Sequence, residues 1–118
     1  MFKIKKFFKS FKYAGKGFKT LLHEEQNFLF DFFVALVVLF FCFYFPLTAA
    51  ERGIIILAVF LVLILEIINS TFERVVDVLE PRLSETVKKI KDFMSLAVLL
   101  MAVCAIILGL LIFWKYVF

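Results

Sequence analysis

Three apolar runs, Phe28–Phe45, Ile54–Phe72 and Phe93–Trp114, constrain this chain more than any other feature. Each holds about 18–22 residues, enough at ~1.5 Å per helical residue to cross a hydrocarbon layer ~30 Å thick. Inside that layer each backbone N–H and C=O must find a partner within the structure, which leaves helices or a closed barrel. Runs this long and this apolar predict an all-α integral membrane domain with three spanning helices. The hydrophobic share of 64% stands well above the ~45–50% of soluble domains and excludes an ordinary water-borne fold.

The first 25 residues differ in kind. Lys3, Lys5, Lys6, Lys9, Lys12, Lys16 and Lys19 alternate with Ile4, Phe7, Phe8, Phe11, Ala14, Phe18, Leu21 and Leu22 at helical spacing. A basic stripe beside an apolar one predicts an amphipathic surface helix over 1–25, lying in the headgroup layer. Gly15 and Gly17 each weaken a helix by roughly 1 kcal/mol and predict a bend or a close backbone approach. The expected single domain, 1–118, then reads as first span 28–45, second span 54–78 with an extension beyond the hydrocarbon, a loop and short helix over 81–92, and third span 93–114. Pro81 would break the second helix and Ser84 would cap the short piece. Thr48-Ala49-Ala50 invites comparison with a signal-peptide cleavage site. The preceding run is too long for a cleaved leader and follows Glu24 and Glu25, so no cleavage is expected.

Basic residues set the expected orientation. They crowd the N-terminus and recur at Arg74, Arg82, Lys88, Lys89 and Lys91, whereas the first loop has only Arg52, offset by Glu51, and the C-terminal end only Lys115. The positive-inside rule puts the N-terminus and the 79–92 loop in the cytoplasm and the C-terminus outside, with Tyr44, Trp114 and Tyr116 as an outer aromatic belt.

Within the second run, Glu66, Asn69, Glu73 and Asp77 lie at offsets of 3, 7 and 11, which stacks them on one helix face. A carboxylate at membrane depth costs on the order of 2.5–3.5 kcal/mol. Such a stripe either glues helices by hydrogen bonds or faces a polar cavity and acts there; three acids and an amide in register favour the second. Glu24 and Glu25 end the surface helix on the same side, and Lys91 and Asp92 open the third span at that depth. Acids and lysines from three segments converge at the cytoplasmic interface.

That set suits a hard cation shared with phosphates, because Mg²⁺ takes one or two carboxylates and leaves its remaining positions to water and phosphate oxygens. Phosphoryl transfer needs this positioning and a base for the attacking hydroxyl, and Glu66 could accept a proton from an alcohol presented within the bilayer. No Walker loop is present, since Lys19-Thr20 lacks the glycine before it, and the protein-kinase signatures are missing. Cys42, Cys104 and His23 have no neighbours at metal-ligand spacing; the cysteines read as small core residues.

Glu66-Ile-Ile-Asn69-Ser70-Thr71-Phe72-Glu73-Arg74-Val75-Val76-Asp77 resembles the Glu-x-x-Asn-Ser/Thr-Ala-x-Glu-x-x-x-Asp signature of the prokaryotic diacylglycerol kinase family, which includes the undecaprenol kinases. Lys91-Asp92 with Met94-Ser95-x-Ala97-Val98 is similar to its second motif, and Phe11-Lys12-Tyr13-Ala14-x-Lys16-Gly17 and Glu25-x-x-Phe28 to its N-terminal part. The resemblance covers nearly the whole chain. It implies a homotrimer in the bacterial inner membrane, with sites between protomers at the cytoplasmic face. It also implies transfer of a phosphoryl group from Mg²⁺-ATP to the hydroxyl of diacylglycerol or undecaprenol. By the same resemblance Glu66 is the base, Glu25 and Glu73 are the metal ligands, and Asp77 supports the motif. Lys6, Tyr13, Glu25, Glu73, Arg82, Lys91 and Asp92 would contact ATP, and Phe28, Asp31, Glu66, Asn69 and Ser95 the lipid. Lys6 stands where the family has an arginine, keeping the charge without the bidentate fork. Thr71-Phe72 replaces the usual Ala-Ile and Met94 a frequent glycine; no proposed catalytic group is lost.

Two other functions fit the residues less well. A small transporter or ion-pathway subunit could carry protons or cations on Glu66 and Glu73, but it has no use for a lysine cluster at one face. A helper anchored by its basic helix leaves the cost of Glu66 unexplained.

Overall fold

The computed structural model describes residues 3–79 and 85–118. Four helices follow in order: α1 Ile4–Glu24, α2 Gln26–Tyr44, α3 Ala49–Leu79 and α4 Glu85–Val117. The last three are long and apolar enough to cross a membrane, as the runs required. At 31 and 33 residues, α3 and α4 reach ~45–50 Å, longer than the hydrocarbon is thick. Their charged ends therefore project past it. Pro81, Arg82 and Ser84, expected to break, bind and cap, lie outside the described residues. The short piece expected over 85–92 is not separate: α4 is one helix from Glu85, since neither proline nor glycine intervenes before Gly109.

Helix α1 buries none of its residues. It runs unbroken through Gly15 and Gly17, and a Cβ at either would meet nothing within 4 Å. The expected bend is not there; both glycines sit on open surface, where lost helix propensity is their only effect. The turn comes instead at Glu25, a single extended residue (φ −115°, ψ 101°) joining α1 to α2. Hydrogen bonds from Glu25 N–H to Leu21 O (2.9 Å) and Leu29 N–H to Glu25 O (3.1 Å) carry the ladder across it. Phe18 packs its ring edge against Phe28 (6.3 Å between centroids) and Phe32 (5.0 Å), seating the end of α1 on α2.

Helix α3 lies between α2 and α4 and packs most extensively on α4. The α2–α3 turn closes the end away from Glu25. Thr48 and Glu51 form a capping box: Glu51 N–H donates to Thr48 Oγ1 (3.1 Å) and Thr48 N–H to Glu51 Oε1 (3.0 Å). Arg52 donates to the terminal α2 carbonyls of Cys42 (3.2 Å) and Phe45 (3.4 Å), groups that a helix end otherwise leaves unmatched. Tyr116 O–H donates to Glu51 Oε1 (2.6 Å) and Lys115 pairs with Glu51 Oε2, tying α4 to α3. Beneath lie Cys42, Leu47, Ile55 and Ile112, the buried cluster of the fold.

Elsewhere little is buried. Phe40, Leu57, Leu100, Ile106 and Leu111 point outward, a surface suited to lipid or a second copy rather than to water. Cys104 is exposed, not a core residue. Between the spans a cavity of about 490 Å³ is lined by Ala35, Ala58, Val62, Ala105 and Gly109 among other apolar groups, with Asp31 the one polar liner, on α2.

Candidate functional site at the Glu25 end

One helical face of α3 holds Glu66, Asn69, Glu73 and Asp77. The first three are half-buried and Asp77 is exposed, so the stripe rises from the apolar interior to the surface. Asp31, in the second turn of α2, lies near Glu66, close enough that its charge, with those of Glu73 and Glu25, acts on the Glu66 carboxyl. Glu25 arrives from the α1–α2 elbow, Asp31 from the first span and Glu66 and Glu73 from the second. Four acids from two helices and a hinge thus share one neighbourhood, an arrangement that costs stability and is kept where charge is used.

Asn69 lies between Glu66 and Glu73. Its Nδ2 donates to Glu73 Oε1 at 3.5 Å. Its Oδ1 is buried with no hydrogen-bond partner among the described residues. A buried carbonyl oxygen without a donor costs on the order of 1–3 kcal/mol and calls for a hydroxyl or a cation opposite it.

At the rim, Lys91 Nζ pairs with Asp77 Oδ1 at 2.7 Å, joining α4 to α3. Arg74 Nη2 reaches Glu25 Oε1 (3.1 Å) and Glu24 Oε1 (3.3 Å). Asp92 is exposed on the next residue of α4. Tyr13 and Lys6 are exposed on α1, with Lys16 Nζ 6.0 Å from the centre of the Tyr13 ring. Phe28 is buried, 2% exposed, in the ring cluster that seats α1. Ser95 is exposed on α4. The fold thus gathers Glu25, Asp31, Glu66, Asn69 and Glu73, brings Asp77 and Lys91 to their edge, and leaves Lys6, Tyr13 and Ser95 on outer surfaces of the protomer.

Sequence reasoning counted Arg74 only as a loop charge. Its partners lie 49 and 50 residues back, and no periodicity within α3 could point to them.

Among the described residues, no three His, Cys, Asp or Glu side chains come together tightly enough to hold a metal ion. Glu25 and Glu73 with the unpartnered Asn69 oxygen offer a partial set, which fits an ion that completes its shell with phosphate and water. It does not fit a protein-only cage.

A family model described as prokaryotic diacylglycerol kinase matches residues 12–113. The undecaprenol kinase of Bacillus subtilis (strain 168) is 36% identical over 110 residues, covering 93% of this chain and 89% of that protein. The diacylglycerol kinase of Helicobacter pylori (strain J99) is 32% identical, with 97% and 82% covered. That of Escherichia coli (strain K12) is 30% identical, with 88% and 85% covered.

Proposed function

This chain belongs to the prokaryotic diacylglycerol kinase family, and we propose that it is a membrane lipid kinase that moves the γ-phosphoryl group of ATP to the hydroxyl of diacylglycerol or undecaprenol. The observation that carries the reading is the meeting of Glu66 with Asp31, Glu73 and Glu25 at the edge of an apolar interior, beside the unpartnered Asn69 oxygen.

A lipid alcohol slides in from the bilayer and sets its hydroxyl beside Glu66. The Glu66 carboxylate takes the proton as the hydroxyl oxygen bonds to the γ-phosphorus; the bond from that phosphorus to the bridging oxygen breaks, and ADP leaves. Asn69 orients Glu73 through its Nδ2 and, with Asp31, lines the approach of the lipid. Glu25 and Glu73 would hold Mg²⁺, which neutralises charge on the phosphates. Lys91 and Arg82 supply further positive charge, and Asp92, Tyr13 and Lys6 position the nucleotide. Phe28 and Ser95 border the lipid.

In this reading the Glu25 end faces the cytoplasm, where ATP is, and α1 lies on the inner face of the bacterial inner membrane with its lysines toward anionic headgroups. The C-terminus lies outside. Three spans cannot enclose this many polar groups alone, so copies assemble, as a homotrimer, and the outward Tyr13, Lys6 and Ser95 meet a neighbour's site. A transport pathway is less well supported: the cavity between the spans is apolar except at Asp31, whereas a proton or cation route needs polar groups along its length.

The test is phosphorylation in mixed micelles with labelled ATP and diacylglycerol or undecaprenol in parallel. Magnesium-dependent label in either lipid is expected; label in neither refutes the proposal.

A further inference from the structure

Arg74 occupies a place that the proposed chemistry leaves unexplained. Glu25 is the N-cap of α2, yet its side chain makes no capping bond to that helix. Acids at a helix N-terminus are ordinarily drawn to the exposed N–H groups there. Here the carboxylate turns across to α3, where the Arg74 guanidinium takes one oxygen of Glu25 and one of Glu24. Among the described residues only Oε1 of Glu25 is engaged, leaving Oε2 available to a ligand. Arg74 also follows Glu73 directly in sequence, so one turn of α3 presents a proposed ligand and the clamp on the other. Half-exposed pairs contribute little to stability, and the Glu24 and Arg74 side chains are 57% and 50% exposed. What the pair supplies is geometry. It fixes the single extended residue at which α1 and α2 part company.

We propose that Arg74 is a positioning residue for the nucleotide end of the site: by clamping Glu24 and Glu25 it holds the α1–α2 elbow so that the open Glu25 oxygen faces the same ion as Glu73. This rests on the proposed roles of Glu25 and Glu73. Outer partners that orient a ligating carboxylate are worth roughly 10–100-fold in metal affinity, and Arg74 is placed to be one.

The experiment measures Mn²⁺ binding by electron paramagnetic resonance, in the full chain in detergent with a non-hydrolysable ATP analogue. KM for Mg²⁺-ATP and kcat are measured alongside. Arg74→Gln should weaken Mn²⁺ binding and raise KM by on the order of tenfold, with kcat within about threefold of the parent. Arg74→Lys keeps the charge on a shorter, more flexible stem that holds the two acids less rigidly than Nη2 does, and should fall between the two. In a Glu25→Gln background, Arg74→Gln should add nothing, because its effect passes through Glu25. The proposal is overturned if Arg74→Gln and Arg74→Lys bind Mn²⁺ as the parent does, if kcat falls while binding is unchanged, or if the double variant loses further affinity. A parent that neither binds Mn²⁺ with the analogue nor phosphorylates lipid overturns the underlying reading, and this one with it.

Discussion

Replacing Glu66 by glutamine should separate activity from stability, because the two depend on opposite features of the same carboxyl. The amide keeps the shape and can still meet Asp31, but it cannot take a proton from an alcohol. Loss of a general base costs typically 10²–10⁴-fold, about 2.7–5.4 kcal/mol of barrier at 1.36 kcal/mol per decade, so kcat should fall by that factor. KM for Mg²⁺-ATP should stay near the parent value, since Glu25, Glu73 and Lys91 are untouched. Stability should move the other way. The charges of Asp31, Glu73 and Glu25 act on Glu66, and a close like-charged pair repels by at most ~4 kcal/mol at an effective dielectric of ~20. Partial exposure of the cluster reduces that to a gain of roughly 1–2 kcal/mol for the neutral variant. Phosphorylation in micelles gives the first quantity, and equilibrium unfolding in mixed dodecylmaltoside and dodecyl sulfate, followed by far-ultraviolet circular dichroism, gives the second. A variant that keeps more than about a tenth of the parent rate removes Glu66 as the base. One that is inactive but less stable shows that the Asp31–Glu66 contact is a supporting hydrogen bond and not a conflict.

Glu73→Ala should raise the Mg²⁺ concentration for half-maximal rate by at least about tenfold, as loss of even an outer partner does, in a titration at fixed ATP; an unchanged titration contradicts the ligand role. Arg52→Gln should release the Cys42 and Phe45 carbonyls at the opposite end and cost about 1–3 kcal/mol of stability in the same unfolding assay. Micelle activity should be within about twofold of the parent, because Glu66 lies some four helical turns away along α3; an activity loss without a stability loss would contradict this division.

Span number, helix class and the acidic stripe were legible from sequence because each is a property of one helix: length against bilayer thickness, or spacing against 3.6 residues per turn. Partners across helices were not. The reach of Arg74 to Glu24 and Glu25 and the cap that Arg52 places on α2 depend on which turn of one helix faces which turn of another, and no pattern within α3 encodes that. Asp31 entered the site through a family likeness alone, since a lone acid near the start of a span is equally consistent with an interfacial charge. Gly15 and Gly17 misled for the same reason: a glycine signals close packing only where something packs, and α1 is open around both glycines in the protomer. Thr48, which entered the sequence reading only through a possible leader-peptide boundary, turned out to open α3 through the capping box with Glu51.

The two ends of the molecule divide what one could not hold. At the Glu51 end, helix termini are capped, carbonyls are matched by Arg52, and a buried cluster of Cys42, Leu47, Ile55 and Ile112 lies beneath them. At the Glu25 end, acids crowd together, a buried amide oxygen has no partner among the described residues, and the polar ties of Arg74 and Lys91 are largely exposed ion pairs. Local rules are obeyed at the first end and broken at the second, which is the distribution expected when a functional site is supported by stability built elsewhere. Exposed pairs can also exchange partners at little cost. Lys91 can leave Asp77 for a phosphate without unfolding anything, whereas Glu51 could not leave Lys115 and Tyr116 without opening the clasp between α3 and α4. The proposed site, which would admit a nucleotide from water and an alcohol from lipid and release both products, therefore belongs at the end where contacts are weakest and charge is densest.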